Sequence, residues 1–184
     1  MITLSLILVS AATAWSQSTI ISIDTNESNI KWMAKKVTGE HEGNINLIEG
    51  SLEMDGDKIS GGNFSVDMTS ISCTDLTGEY KGKLEGHLKS DDFFSVNKFP
   101  KASLIITKSE KKMENHYLVS GALTIKGITH PIDFEMHVEG NTAMTKLVVD
   151  RSKYNVRFRS ASFFENLGDK MIYDDFELAV NLKF

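Results

Sequence analysis

The side chains best equipped for chemistry in this sequence are scattered. The five histidines, His41, His87, His116, His130 and His137, include no pair at the i, i+4 spacing that sets two imidazoles on one helical face around a metal. A metal centre would need ligands gathered by the fold, and none is expected. Cys73 is the single cysteine, so no internal disulfide can form. With no resolving thiol and no histidine beside it in sequence, it reads as a small buried side chain rather than a nucleophile. Asp91 and Asp92 could act as an acid–base pair, but helix-start charge is the simpler reading of them. Asp150 and Arg151 read as a structural ion pair at a strand end, with a polar contact at a pocket mouth as the alternative. His87 reads as bonded to nearby backbone, with ligand contact and catalysis as alternatives, and His137 falls on an outer strand face. No serine-nucleophile motif, phosphate loop or dinucleotide fingerprint is present.

The densest local signal is Gly86–Pro100. Ser90 is suited to cap a short helix by accepting a free backbone N–H. Asp91 and Asp92 would then occupy its first turn, where negative charge suits the helix dipole. Phe93 and Phe94 follow, too apolar to leave wholly in water. Neighbours in a helix diverge by about 100°, so one ring is expected in an interior and the other wedged against a wall, with Phe94 assigned to the interior. Tyr80, Leu84 and Leu88 recur upstream at helical spacing. Pro100 holds Phe99 extended and starts a new element. The stretch reads as a helical lid lying on a β structure.

The chain that carries this lid has 184 residues, enough for one domain with a sizeable core. A 41% hydrophobic and 24% charged composition is ordinary for a globular protein. The net charge of -5 argues against a nucleic-acid partner, and no stretch beyond the N-terminus is long and apolar enough to span a bilayer. Met1 to Ser16 differ from the rest. Ile2, Leu4, Leu6, Ile7, Leu8 and Val9 form an uncharged apolar run, followed by small residues and Ala14-Trp15-Ser16. That pattern predicts a signal peptide over 1–16 with Gln17 as mature start, although the usual leading Lys or Arg is missing. A buried N-terminal strand is the alternative. With no cysteine after the apolar run, no lipid anchor on the mature N-terminus is expected, and the predicted location is periplasmic or secreted.

From Ser18 onward, period-two alternation dominates. Ile21 and Ile23 suggest a first strand, and Ile30, Trp32 and Ala34 share one face of a second. Val37–Gly43 reads as a turn, Gly50 as a bulge, and Asp55-Gly56-Asp57 as a hairpin. Phe64, Val66 and Met68 share a face, as do Ala102, Leu104 and Ile106. The same holds for Tyr117, Val119, Gly121, Leu123 and Ile125; for Ile132, Phe134, Met136 and Val138; and for Ala143, Thr145, Leu147 and Val149. Ile172, Phe176, Leu178, Val180, Leu182 and Phe184 close the chain. This is an all-β chain of about eight antiparallel strands, and either a barrel or a sandwich hides its edges.

A resemblance chooses between them. Trp32, Lys36, Gly39, His41 and Gly43 are followed by Asp67-Met68-Thr69-Ser70-Ile71. Then come His87-Leu88-Lys89-Ser90-Asp91-Asp92-Phe93-Phe94 and Phe99-Pro100-Lys101-Ala102. Last are Gly121–Gly127 with Thr129, and Asp150-Arg151-Ser152 with Tyr154. In order and spacing these pieces resemble the YceI-like family of lipocalin-like, polyisoprenoid-binding proteins, over nearly all of 17–184. The resemblance implies an extended antiparallel barrel with an apolar pocket for an isoprenoid chain. Ser160–Lys170 is less general to that family, and its role is open.

The expected function is therefore that of an exported, non-enzymatic binding protein. It would sequester or carry an isoprenoid lipid of quinone or polyprenyl type, with no other cofactor, and the sequence leaves a homodimer open. Trp32, Phe64, Val66, Leu104, Leu123, Phe134, Leu147 and Phe176 would line the lumen, and Leu88, Phe93 and Phe94 would cover it. The alternatives are a lyase- or isomerase-type barrel enzyme using His87, Asp91 or Arg151 at the mouth, and a protein-interaction module whose lumen is filled by its own side chains.

Overall fold

Nearly every alternating stretch becomes a strand in the computed structural model, which describes residues 18–184. The proposed signal peptide over 1–16 lies outside the described residues. The strands are β1 (Thr19–Ser22), β2 (Asp24–Lys36), β3 (Gly39–Asp55), β4 (Lys58–Cys73), β5 (Lys101–Met113), β6 (His116–Ile125), β7 (Ile128–Glu139), β8 (Thr142–Asp150) and β9 (Ile172–Lys183), and the helix α1 covers Gly78–Lys89. All neighbours pair antiparallel. From β2 the order runs through β9, β8, β7, β6, β5 and β4 to β3, which pairs back to β2. That return closes an eight-stranded barrel with one extra strand and disposes of the sandwich. The extra strand is β1, which pairs with the second half of β3 (Thr19↔Met54, Ser22↔Ser51), while β2 pairs with the first half (Ile30↔Ile45, Lys36↔Gly39).

Inward residues form one continuous core, with Leu52, Ile59, Val119 and Val156 fully buried. Gly43 makes the tightest approach of the wall: a Cβ there would fall 1.8 Å from the Ser72 carbonyl oxygen. The Trp32 indole N–H donates to that same oxygen at 3.1 Å. A side chain at Gly43 would displace both. Of three irregularities in the β3–β4 ladder, one falls just before Gly50, between Leu47 and Glu49. One seam is short: β7 pairs with β8 only from Met136↔Thr145 to Glu139↔Thr142. Pro131, which has no N–H to give a neighbour, lies in the part of β7 beyond that seam.

The two ends of the barrel differ. One is closed by tight hairpins at Gly56–Asp57, Glu114–Asn115 and Gly140–Asn141, with Gly56, Asn115 and Gly140 at positive φ. The other has the Val37–Thr38 and Lys126–Gly127 hairpins and two long connections, 74–100 and 151–171. The Val37–Thr38 turn is shorter than expected, because Gly39–Gly43 already belong to β3.

The lid helix is displaced from the position expected for it. Ser90 caps the C-terminus of α1: its N–H donates to the His87 carbonyl at 3.1 Å and its hydroxyl to the same oxygen at 2.7 Å. Asp91 and Asp92 lie in the turns that follow, and Glu79 is the acid in the first turn. The reason is local. Ser serves either end of a helix, and the Leu84/Leu88 spacing already belonged to a helix upstream. The apolar face is also thinner than expected: Leu88 is buried, Leu84 half-buried and Tyr80 exposed. Glu85 ties α1 to the wall by accepting the Cys73 N–H at 2.8 Å. Pro100 acts as expected, and β5 begins directly after it.

Candidate functional site

Inside the barrel is a cavity of about 160 Å³, bordered by every barrel strand, by Leu88 of α1 and by the turn that carries Phe93 and Phe94. Trp32, Phe64, Val66, Leu104, Leu123, Phe134, Leu147 and Phe176 all border it. So do Ile30, Ala34, Ile45, Met136, Leu178 and Val180, which share strand faces with them and were legible by the same alternation. The lining is almost wholly apolar. Its polar members are Ser103, Thr145, Arg151 and Tyr173: the Thr145 hydroxyl donates to the Glu135 carbonyl at 2.6 Å, Arg151 donates to main-chain carbonyls, and Tyr173 is half exposed.

The lid is a main-chain fold-back, and this changes what Phe93 and Phe94 can do. The Phe94 N–H donates to the Leu88 carbonyl at 3.1 Å, Ser95 to Ser90 at 2.8 Å and Val96 to Lys89 at 3.1 Å. Ser95 sits at φ 51° to make the reversal. The two phenylalanines are therefore not helical neighbours, and both border the cavity, contrary to the expected split. They meet edge to face at 4.9 Å. Phe94 reaches Phe176 across the lumen at 6.5 Å, and Phe93 turns toward His87 and lies under Arg151, 5.4 Å from its guanidinium carbon.

Arg151 is a buried organiser that borders the cavity, so the pocket-mouth alternative describes it and the ion pair with Asp150 does not. Its partner in charge is Asp174 at 3.2 Å, not Asp150. Its N–H groups also donate to the carbonyls of Tyr173, Val156, Phe158 and Ile172 at 3.0–3.1 Å. Asp150 instead accepts from the Ser152 N–H and hydroxyl, capping a short 3-10 turn over Arg151–Tyr154. Burial lowers the Arg151 pKa, with Asp174 and Asp150 opposing. Lys126 joins the two long connections, donating to the Phe93 carbonyl at 2.8 Å and the Asn155 carbonyl at 3.0 Å.

The His87 ring makes none of the backbone bonds expected of it. Its Nε2 is buried without a partner, between the Phe93 ring and the Phe158 ring at 4.3 Å. Burial holds its pKa below the usual histidine value, Asp92 opposing and Arg159 reinforcing.

Cys73 is fully buried, and its partner lies two residues along the chain. Its thiol donates to Asp75 at 3.0 Å, and Asp75 pairs with His41 at 2.8 Å. Burial and then Asp75 push the thiol up, away from the reactive thiolate. Burial also pushes the Asp75 carboxyl up, but bonds from Cys73, His41 and the Glu42 N–H outweigh it and hold it below the usual range. The trio pins the β2–β3 hairpin to the end of β4. His116 and His137 meet ring to ring at 4.5 Å, tilted by 47°, because register pairs them across β6 and β7. Among the described residues, no three of His, Cys, Asp or Glu converge as a metal set.

The family model of the YceI-like domain matches residues 22–184. The chain belongs to the YceI-like family. Relatives of this YceI-like chain include UPF0312 proteins of Shewanella denitrificans and Yersinia enterocolitica, each 30% identical over 98 residues. That match covers 53% of this chain and 49% and 48% of theirs, so the chain spans about half the length of the curated relatives it matches. Among solved structures it is similar to BcnA of Burkholderia cenocepacia, with a TM-score of 0.69 at 18% identity over 87% of this chain and 98% of that one. It is also similar to a polyisoprenoid binding domain from Saccharophagus degradans, with a TM-score of 0.60 at 15% identity over 88% and 95%. At such identities the likeness establishes the YceI-like barrel fold.

Proposed function

We propose that this YceI-like protein binds an isoprenoid lipid of quinone or polyprenyl type in its lumen, to sequester or carry it, without catalysis. One observation carries the reading: a closed barrel surrounds a cavity whose wall offers apolar surface and almost no free polar group. A prenyl tail gains about 0.8 kcal/mol per buried methylene-sized unit and needs no directional bond. The polyisoprenoid-binding character of the Saccharophagus degradans domain supports the ligand class. The lumen-bordering side chains from Trp32 to Phe176 would contact the tail, and Leu88, Phe93 and Phe94 would close over it. Size sets a condition. A dry cavity of about 150 Å³ accepts one benzene-sized group, so at about 160 Å³ this one holds a ring or a short piece of tail. A longer tail must displace the Phe93–Phe94 turn. The Met1–Ser16 pattern supports export, and the ligand would then be handled outside the cytoplasm.

The test is native mass spectrometry of freshly purified protein, followed by lipid extraction and back-titration with a short-tailed prenylquinone. Expected are one bound lipid per chain, retained in EDTA, and release when Phe94 becomes alanine. Protein that is empty as isolated and does not take up the quinone would sink the reading. Turnover of the quinone by the protein would replace it with the enzymatic alternative.

A further inference from the structure

Ser160–Lys170 finds no place in the lumen, yet it holds an unusual surface. Phe163 and Phe164 are 40% and 50% exposed, and among the described residues they are the only exposed phenylalanines. They sit on tight turns in which both N–H groups donate to the Ser160 carbonyl, at 3.2 and 3.0 Å. The turn is anchored beneath: Ser160 is fully buried, and the Ser162 hydroxyl donates to Asp174 at 2.7 Å, the partner of Arg151. The rings are thus held outward by a fixed base. In the same stretch of chain, Lys153, Arg157, Arg159 and Lys170 are exposed, against Glu165 and Asp169. Arg157 lies over Phe163 at 4.8 Å and Arg159 over Phe158 at 5.0 Å. This cationic surround belongs to a chain whose net charge is -5. The patch adjoins the lid, because Phe158 touches His87 and half-exposed Tyr173 both borders the cavity and stands beside the segment.

We propose that Phe163 and Phe164, with Arg157, Arg159, Lys153 and Lys170, form a docking tip for the surface of an anionic lipid bilayer. Paired aromatics seat at the headgroup level while basic side chains meet the phosphates. Charge favours this occupant over a second copy: a two-fold contact through the same patch would set its cations against their own images. Docked this way, the barrel presents its lidded end to the bilayer, and a tail would pass between membrane and lumen over the shortest wet path. This extension rests on the lipid-binding reading, but docking itself does not need an occupied lumen.

Vesicle co-sedimentation tests it, with phosphatidylcholine vesicles against vesicles containing about one quarter phosphatidylglycerol. Expected is clear binding to the second, weakened by salt and much weaker on the first. Phe163→Ser with Phe164→Ser should lower the partition roughly tenfold or more, and Arg157→Gln with Arg159→Gln roughly tenfold at low salt, each with an unchanged melt and unchanged quinone binding in solution. Equal partition onto both vesicle types, or a double-serine variant that partitions like the parent, overturns the proposal. So does a dimer in sedimentation equilibrium that the double-serine change abolishes, since the patch is then taken by a second copy. Quinone binding that fails while vesicle binding persists removes the lumen ligand and leaves the docking tip standing.

Discussion

The two ends of this barrel solve different problems with the same strands. At the hairpin end, turns of two residues reverse the chain, and the conspicuous polar contact, Lys111 with Asp57, lies in water. At the lidded end, two long connections meet over the lumen and are held by buried Arg151, on four carbonyls and Asp174, and by half-buried Lys126, on two carbonyls. A barrel that only needed to stay folded could be closed at both ends by hairpins. Burying the Arg151 charge at one end is the kind of local cost found at sites that work.

Arg151 offers the sharpest way to break the comparison. Arg151→Ala strips four carbonyls of their donor and Asp174 of its counter-charge, and loss of one partner from such a network typically costs about 3–5 kcal/mol. Chemical denaturation should show a loss of that order, with Ser160–Lys170 becoming protease-sensitive. Lys111→Ala at the other end should leave the denaturation midpoint unchanged, because exposed ion pairs contribute little. Equal effects at both ends would dissolve the distinction.

Phe93 and Phe94 come next. Phe93 packs on His87, Phe94 and Arg151, whereas Phe94 meets Phe93 and, across the lumen, Phe176. Phe93→Ala should cost about 3 kcal/mol, near the lower end for a buried phenylalanine. Phe94→Ala should cost less, since it borders space already incompletely filled, and should lose more bound lipid. Paired thermal melts and lipid assays decide it. Equal stability losses with unchanged lipid would make the turn ordinary core.

The wall was legible in the sequence because a strand hides one face, and alternation records which: Trp32, Phe64, Leu123 and Phe176 stand where parity puts them. The lid was less legible because its geometry is set by main-chain bonds between residues that sequence treats alike. Ser90 looked like an N-terminal cap and is a C-terminal one. Phe93 and Phe94 looked helical and lie in a fold-back. Arg151 beside Asp150 looked like a local ion pair, yet its partner, Asp174, lies across the intervening connection. Likewise nothing in the spacing of His116 and His137, or of His41, Asp75 and Cys73, announces contacts made by strand register and by the end of β4.

The unpartnered His87 nitrogen gives the lidded end a pH dependence of its own. Folding lowers the His87 pKa, so the unfolded chain binds the proton more readily. Stability from this site is therefore complete above about pH 6.5, the unperturbed histidine value, and is lost as pH falls through the lower folded value. Hydrogen exchange in 87–100 should quicken as pH drops below about 6.5, after correction for intrinsic rates, while exchange in β5 and β6 follows the intrinsic trend. His87→Phe should flatten the lid's response. A response that persists in that variant would place the sensitive group elsewhere.

The smallest effect concerns α1, the one α-helix among the described residues. Gly82 and Gly86 lie in its interior with open space where a Cβ would stand, so no packing requires them. Each glycine in an exposed helix interior costs about 1 kcal/mol relative to alanine. Thr77 supplies no side-chain cap, and Leu88 is the buried anchor of the helix. Gly82→Ala and Gly86→Ala should thus each stabilise α1 by up to about 1 kcal/mol, less whatever the helix shares with the rest of the fold. The gain should appear in local hydrogen exchange more than in the global melt. If a longer tail must lift the turn that α1 carries, the doubly substituted protein should also take up and release a prenylquinone more slowly, with little change in affinity. Faster or unchanged exchange of lipid in a demonstrably stiffer helix would mean that the turn moves without α1. The gate would then be the Phe93–Phe94 fold-back alone.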